Sequence, residues 1–302
     1  MDGPVVGAAA ATIGAAAAGA TLWYCCTGAD PAPTPASATA TAVAAADGPR
    51  RLVVVGTGAE RDAEDKHKWV GLSSVLLFSL GADGSLRQEF ELPDVGVNPM
   101  FMCSRAGGAL LDAVNMGETD NAASLQTFAV DHAARSLAKL GEVPTADGPC
   151  HLTTVSLPCR DVFGAPSEAQ IVLVANYGAG GVAAHIAKED GTLGAASCAV
   201  QHGPGATPGV GRQDKAHPHG VCVSPDGKFV FVADLGRNSV FMYALRADGQ
   251  LAELAEQVVH AGAGPRHLAV TLGVGASPYV AEGVEIGVVF CLNELDNTIS
   301  VM

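Results

Sequence analysis

The chain has 302 residues, 48% of them hydrophobic but only 5% aromatic, with 37 glycines. That length suits one large domain or two ordinary ones, and the composition is that of a globular protein with many tight turns, not of a disordered chain. A formal charge of -14 argues against non-specific attachment to nucleic acid or anionic lipid, both of which need a cationic surface. It leaves room for a small anionic ligand, because a few local Arg and His side chains suffice for a positive pocket.

Residues 5–27 carry no charge and are long enough to span a bilayer,. Alanine and glycine keep the stretch only weakly hydrophobic, and no basic residue precedes it. Residues 1–27 are read as a targeting or anchoring segment, with a cytoplasmic location as the alternative; any membrane contact is expected through this segment alone. Cys25 and Cys26, side by side at its end, form a weak palmitoylation pattern. Residues 28–50, rich in Ala, Pro and Thr, read as a flexible linker.

From Arg51 the texture changes to short apolar runs separated by Gly, Asp and Pro. IVLVANY, KFVFVADL, SVFMYAL and VVFCLN are strands by length and β-branched content, and SPDG at 224–227 with ADG at 82–84 and 247–249 are turns,. No long amphipathic pattern interrupts them, so residues 51–302 are expected to be all-β. Four similar units open at Asn98-Pro99-Met100, Gly148-Pro149-Cys150, His217-Pro218-His219 and Gly264-Pro265-Arg266. Each continues through two strands that end at Asn115, Asn176, Asp234 and Asn293. The second and fourth units are longer, which fits insertions at the first turn, in 158–169 and 272–287.

Units of four short antiparallel strands at a period of about fifty residues are the blades of a β-propeller, which close radially to hide their edges. LVVVGT at 52–57 aligns with a second strand, so the first blade is expected to lack its innermost strand, which a closed ring would take from the C-terminal end. The sequence runs out just after the second strand of a fifth unit. Five incomplete blades and a C-terminally incomplete domain are therefore expected.

None of the eight cysteines forms a CxxC pair or a Cys/His zinc spacing,. They read as free thiols in apolar strands, with Cys150–Cys159 as the one local pair worth testing for a bridge. No metal set or EF-hand loop is evident, and NYGAGG at 176–181 is not followed by a helix, so a nucleotide loop is not indicated.

Antiparallel pairing puts the start of a first strand and the end of the second on the same face. His219 and Arg266 hold equivalent positions in successive units, and Glu294 directly follows the second-strand terminus Asn293. These three are expected to converge on one rim of the channel as an acid/base and anion-binding set. Arg212 and Gln213, in the Gly-rich loop before the HPH motif, are candidate substrate-binding residues, as is His217. The plainer readings are an inter-blade tie for His219 and a Glu294 partner for Arg266. His151 and His267, one residue further along, read as structural, as do Asn115, Asn176, Asp234 and Asn293.

NPMF at 98–101, GPCH at 148–151, VANYGAGGV at 174–182 and RQDKAHPHGVCVSPDGKFVFVADLG at 212–236 resemble successive signatures of the propeller 6-phosphogluconolactonase family. GAGPRHLAV at 262–270 and LNELDNTISV at 292–301 continue the resemblance, which runs from about Arg51 to the end of the chain,. It implies a seven-bladed ring and metal-independent hydrolysis of a sugar lactone, with or without a phosphate; no cofactor is expected, and the chain is expected to be a monomer. The family's site histidine matches His219 better than His217, its arginine matches Arg266 and its glutamate Glu294; a further family arginine falls beyond Met302. The family also holds carboxy-muconate lactonizing enzymes, so a cycloisomerase reaction is one alternative, and a non-catalytic binding propeller is another.

Overall fold

The computed structural model describes residues 51–302 apart from 59, 62–68, 71–72, 118–121, 161–162, 208, 210 and 274–285, together with the strand Cys25–Cys26. The rest of the expected anchor and linker, 1–24 and 27–50, lies outside the described residues. Among the described residues no helix is long and apolar enough to cross a membrane.

Five antiparallel sheets follow one another along the chain, beside a small hairpin of Glu60–Arg61 and Trp69–Val70. The second sheet runs Pro99–Arg105, Leu110–Asn115, Ser124–Asp131, Ser136–Pro144, and the third Pro149–Arg160, Pro166–Asn176, Gly181–Ala187, Leu193–Gln201. The fourth runs Pro218–Val223, Phe229–Asp234, Ser239–Leu245, Leu251–Val258. The first strands of the second to fifth sheets touch in turn, Pro99–Arg105 against Pro149–Arg160, then Pro218–Val223, then Pro265–Gly273. Sheets with adjacent inner strands radiate from a common axis, which makes the fold a β-propeller.

Burial follows from that geometry. Val75–Leu80 alternates buried and half-buried residues, the period-two signature of a strand,. In the second to fourth sheets the second and third strands are largely covered by neighbouring sheets, whereas the outermost strand Leu251–Val258 is almost wholly exposed. Ile171, Leu173, Val230, Val232, Phe241 and Tyr243 fuse the third sheet to the fourth, and Leu77, Met102, Leu111 and Phe128 fuse the first to the second. Each such side chain contributes about 1.5–3 kcal/mol by leaving water. Turn chemistry closes the hairpins: at SPDG, Ser224 and the backbone of Lys228 both reach Asp226 Oδ1 (2.6 and 3.1 Å) while Gly227 takes φ 75°, where a Cβ is strained,.

Two expectations are corrected. The innermost place of the first sheet is not empty, because Cys25–Cys26 pairs antiparallel with Val53 and Val54 there. The fifth sheet has three strands, Pro265–Gly273, Ile286–Asn293 and Thr298–Val301, since Asn297 adopts a left-handed φ of 60° and turns the chain back. The insertion at 158–169 falls at the first turn as expected and lengthens its hairpin to strands of 12 and 11 residues, against six and six in the fourth sheet. The equivalent insertion in the fifth sheet falls largely outside the described residues. Cys150 and Cys159 are both free. They lie at opposite ends of one strand, and at about 3.3 Å per residue they stand roughly 30 Å apart, beyond the ~7 Å Cα separation a disulfide tolerates. Cys103, Cys198, Cys222 and Cys291 are free as well.

One irregularity recurs and positions everything below. In the second to fifth sheets the ladder slips directly after the opening proline, between Pro99 and Phe101, Pro149 and His151, Pro218 and Gly220, and Pro265 and His267. Met100, Cys150, His219 and Arg266 are thus the extra residues of four equivalent β-bulges, a device that re-aims a side chain.

Candidate active site

The bulge in the fourth sheet sets His219 beside the bulge in the fifth, which carries Arg266. Gly220 makes the approach possible: a Cβ there would stand 2.3 Å from the Arg266 carbonyl oxygen. Glu294 leaves the second strand of the fifth sheet at the same end, its backbone N–H bonded to Gly264 O at 2.8 Å. Glu294 Oε2 lies 3.6 Å from Arg266 Nε and 3.9 Å from His219 Nε2. Neither distance is a hydrogen bond, and Arg266 Nε has no hydrogen-bond partner.

The loop before the fourth sheet reaches over this trio. Gln213 is buried, and its amide donates to Leu235 O and Asn238 Oδ1, both at 3.0 Å, which pins the turn Gly211–Gln213. Arg212 therefore projects the other way and grips Glu294 with two hydrogen bonds, Nη1 to Oε1 at 2.6 Å and Nη2 to Oε2 at 3.2 Å. Its Nε donates to the Tyr177 hydroxyl at 3.1 Å. His217 is buried behind them, stacked on Tyr177 with centroids 4.1 Å apart. Its Nδ1 bonds Tyr177 O at 2.9 Å and its Nε2 bonds Asp214 at 3.1 Å. His219, Arg266, Glu294 and Arg212 thus meet at one rim, with His217 and Gln213 engaged in holding the loop and Tyr177 in place.

The charges set the protonation states. Burial, then the Arg266 charge, holds the His219 imidazole down at about 4, so the ring is neutral near pH 7 and its contact with Glu294 is no ion pair there,. Burial pushes the Glu294 carboxyl up, but the Arg212 hydrogen bonds and the charges of Arg212, Arg266 and His219 outweigh it and leave the group below its ordinary value. His151 and His267 line up next to His219, with ring centroids 5.4 Å from each other and 5.8 Å between His267 and His219. Burial is the main cause that lowers both, His151 to about 3. Among the described residues, no group of three or more His, Cys, Asp or Glu is placed to hold a metal ion.

Two neighbours escaped the sequence reading. Cys150, the bulge residue of the third sheet, has Sγ 3.5 Å from His219 O and 3.9 Å from His219 Nδ1; burial pushes its thiol up to about 12, which leaves it inert,. Tyr177 follows Asn176 just as Glu294 follows Asn293. The repeat register that singled out Arg266 and Glu294 contains the signal for both. An apolar cleft of about 460 Å³ lies elsewhere, between the fourth and fifth sheets and lined by Phe231, Val240, Met242 and Val289 among others. It is a packing gap between two sheets and holds none of the rim's His and Arg groups.

The class defined here is a β-propeller with a histidine, two arginines and a carboxylate gathered at one rim. Residues 71–302 match the family described as lactonase, 7-bladed beta-propeller, and the chain belongs to that family. It is 26% identical over 200 residues to the 6-phosphogluconolactonase of Bacillus subtilis (strain 168), covering 66% of this chain and 53% of the relative. It is 31% identical over 163 residues to the probable 6-phosphogluconolactonase of Arthroderma benhamiae, covering 53% and 37%. The chain therefore spans about half, or less, of the length of these relatives. In fold it is similar to a putative 6-phosphogluconolactonase from Bacteroides uniformis (TM-score 0.59, 22% identity, 84% of this chain and 67% of that one). It is likewise similar to the periplasmic gluconolactonase PpgL of Pseudomonas aeruginosa (TM-score 0.57, 22% identity, the same coverages).

Proposed function

We propose that this protein hydrolyses a sugar δ-lactone of the 6-phosphogluconolactone kind at the rim formed by His219, Arg266, Glu294 and Arg212. The observation that carries the reading is the neutral, largely buried imidazole of His219 set next to an arginine whose Nε has no partner. Neutral His219 accepts a proton from water as that water attacks the lactone carbonyl. The carbonyl oxygen gains the negative charge, and the partly exposed Arg266 guanidinium stabilises it by its positive charge,. The ring C–O bond then breaks, and the imidazolium returns its proton to the departing alkoxide, giving the open hydroxy acid. Arg212, the most exposed of the four, is the group to meet a substrate phosphate through its planar fork. Glu294 holds both arginines at the rim and supports the transient imidazolium.

The test is hydrolysis of 6-phosphogluconolactone and of glucono-δ-lactone, followed as acid release above the spontaneous rate. His219→Asn is expected to lower kcat by about 10²-fold or more. The wild-type rate should hold from pH 7 to about 5 and fall as His219 protonates toward about 4. Undiminished hydrolysis by His219→Asn, or by Arg266→Met, overturns the assignment.

A further inference from the structure

We infer that Tyr177 is a substrate-contacting residue of this rim, whose phenolic hydroxyl donates a hydrogen bond to the carbonyl oxygen of the bound lactone. The inference rests on the lactone-hydrolysing reading above and adds a second donor at the reacting carbonyl.

The argument begins with valence. A phenol has one proton to donate and lone pairs to accept with, whereas a guanidinium only donates. The 3.1 Å contact between Arg212 Nε and Tyr177 Oη therefore uses a lone pair of the tyrosine and leaves its proton uncommitted. Among the described residues no acceptor meets that proton. Accepting from a cation also polarises the O–H and makes it a better donor, because hydrogen bonds in a chain reinforce one another.

Position supplies the second part. His217 stacks on the ring at 4.1 Å and 19°, while the backbone is held by its carbonyl accepting from His217 Nδ1 and its N–H donating to Gly148 O at 2.8 Å. So held, it stands edge-on to His219, with centroids 5.4 Å apart at 79°. The phenol therefore flanks the imidazole that activates the water. It is only half-buried, so its hydroxyl is reachable by a ligand. A prealigned neutral donor beside the reacting group is what a developing oxyanion requires. The chain Tyr177–Arg212–Glu294 also joins the third sheet to the fifth across the fourth, which keeps the donor aligned from both ends.

Tyr177→Phe keeps the stacked ring and removes only the hydroxyl. It is to be compared, in the full chain, with the wild type, Arg212→Gln and the double variant. The measurements are kcat and KM for 6-phosphogluconolactone, and calorimetric affinity for 6-phosphogluconate. Expected is a loss of kcat of about 10²-fold in Tyr177→Phe, with KM and product affinity within about twofold and a smaller but persisting loss in the Arg212→Gln background, where the phenol is no longer polarised. The inference is overturned if kcat is unchanged, if the loss lies in KM alone, or if it vanishes without Arg212, since Tyr177 then acts only by positioning the guanidinium. A wild-type chain that neither turns over the lactone nor binds 6-phosphogluconate overturns the lactone reading itself, and this inference with it.

Discussion

Acid should destabilise this propeller through its row of half-buried imidazoles, and His151 allows the effect to be isolated. Its ring sits against Phe101 with centroids 4.0 Å apart, next to His267, and accepts the Val221 N–H at 3.4 Å. Burial first, then the charges that His267 and His219 carry once protonated, lowers it from 6.5 to about 3. The unfolded chain therefore binds a proton that the folded one refuses, so the stability held above pH 6.5 is lost as pH falls. Linkage makes that loss slight at pH 7, about 2 kcal/mol at pH 5 and about 5 kcal/mol at acid pH below both values. His151→Asn keeps an acceptor for Val221 and cannot charge. Urea unfolding of wild type and variant at pH 7 and 5 measures the difference. The variant should lose about 2 kcal/mol less on going from pH 7 to 5, while His219 and His267 still contribute to its remaining slope. Equal losses in the two proteins would refute the claim that His151 is held neutral by burial.

Two further outcomes test packing. Arg105 and Asp112 are buried together, with Nε to Oδ2 at 2.5 Å, and Arg105 also reaches Gln170 Oε1 at 3.2 Å and the Gly191 carbonyl of the next sheet. Arg105→Met strands the carboxylate and should cost about 3–5 kcal/mol in denaturant unfolding, whereas Arg105→Met with Asp112→Leu should regain most of it. Gly220→Ala places a methyl where the Arg266 carbonyl stands 2.3 Å away. It should cost about 1–3 kcal/mol of stability and, by parting the two bulges, lower lactone hydrolysis more than Gly227→Ala at the SPDG turn does.

Much of this was legible in the chain. The Pro-to-Asn/Asp units fixed the sheets because each one repeats the same local demands: an opening proline that needs no ladder N–H, a DG turn, and a polar cap at the second-strand end. Asp234 shows the cap at work, with Oδ1 accepting from the backbones of His217 and Arg237 and Oδ2 bonding His202. His219, Arg266 and Glu294 were found because repeat register is a spatial coordinate in a propeller. What stayed hidden was non-local. A two-residue strand at Cys25–Cys26 is too short to leave a periodic trace in the sequence. Cys150 and Tyr177 hold the register positions of Arg266 and Glu294, but a thiol and a phenol there look like ordinary strand residues until their closeness to His219 and Arg212 is seen.

The bulge explains why the chemistry collects where it does. A residue inside a regular ladder is constrained twice, by its cross-strand partner and by the face on which the alternation puts it. The extra residue of a bulge escapes both constraints. Met100, Cys150, His219 and Arg266 differ in size, polarity and charge, yet the strands around them pair alike, and the opening proline faces Asn or Asp in all four sheets. The fold thus tolerates a thioether, a thiol, an imidazole or a guanidinium at the same rim position. The cost falls on the neighbours, as at Gly220, where close approach of the next inner strand leaves no space for a side chain. Sequence variation at the bulge can change the reactive groups without altering the ladders that hold the ring together, whereas at Gly220 a larger residue meets the Arg266 carbonyl.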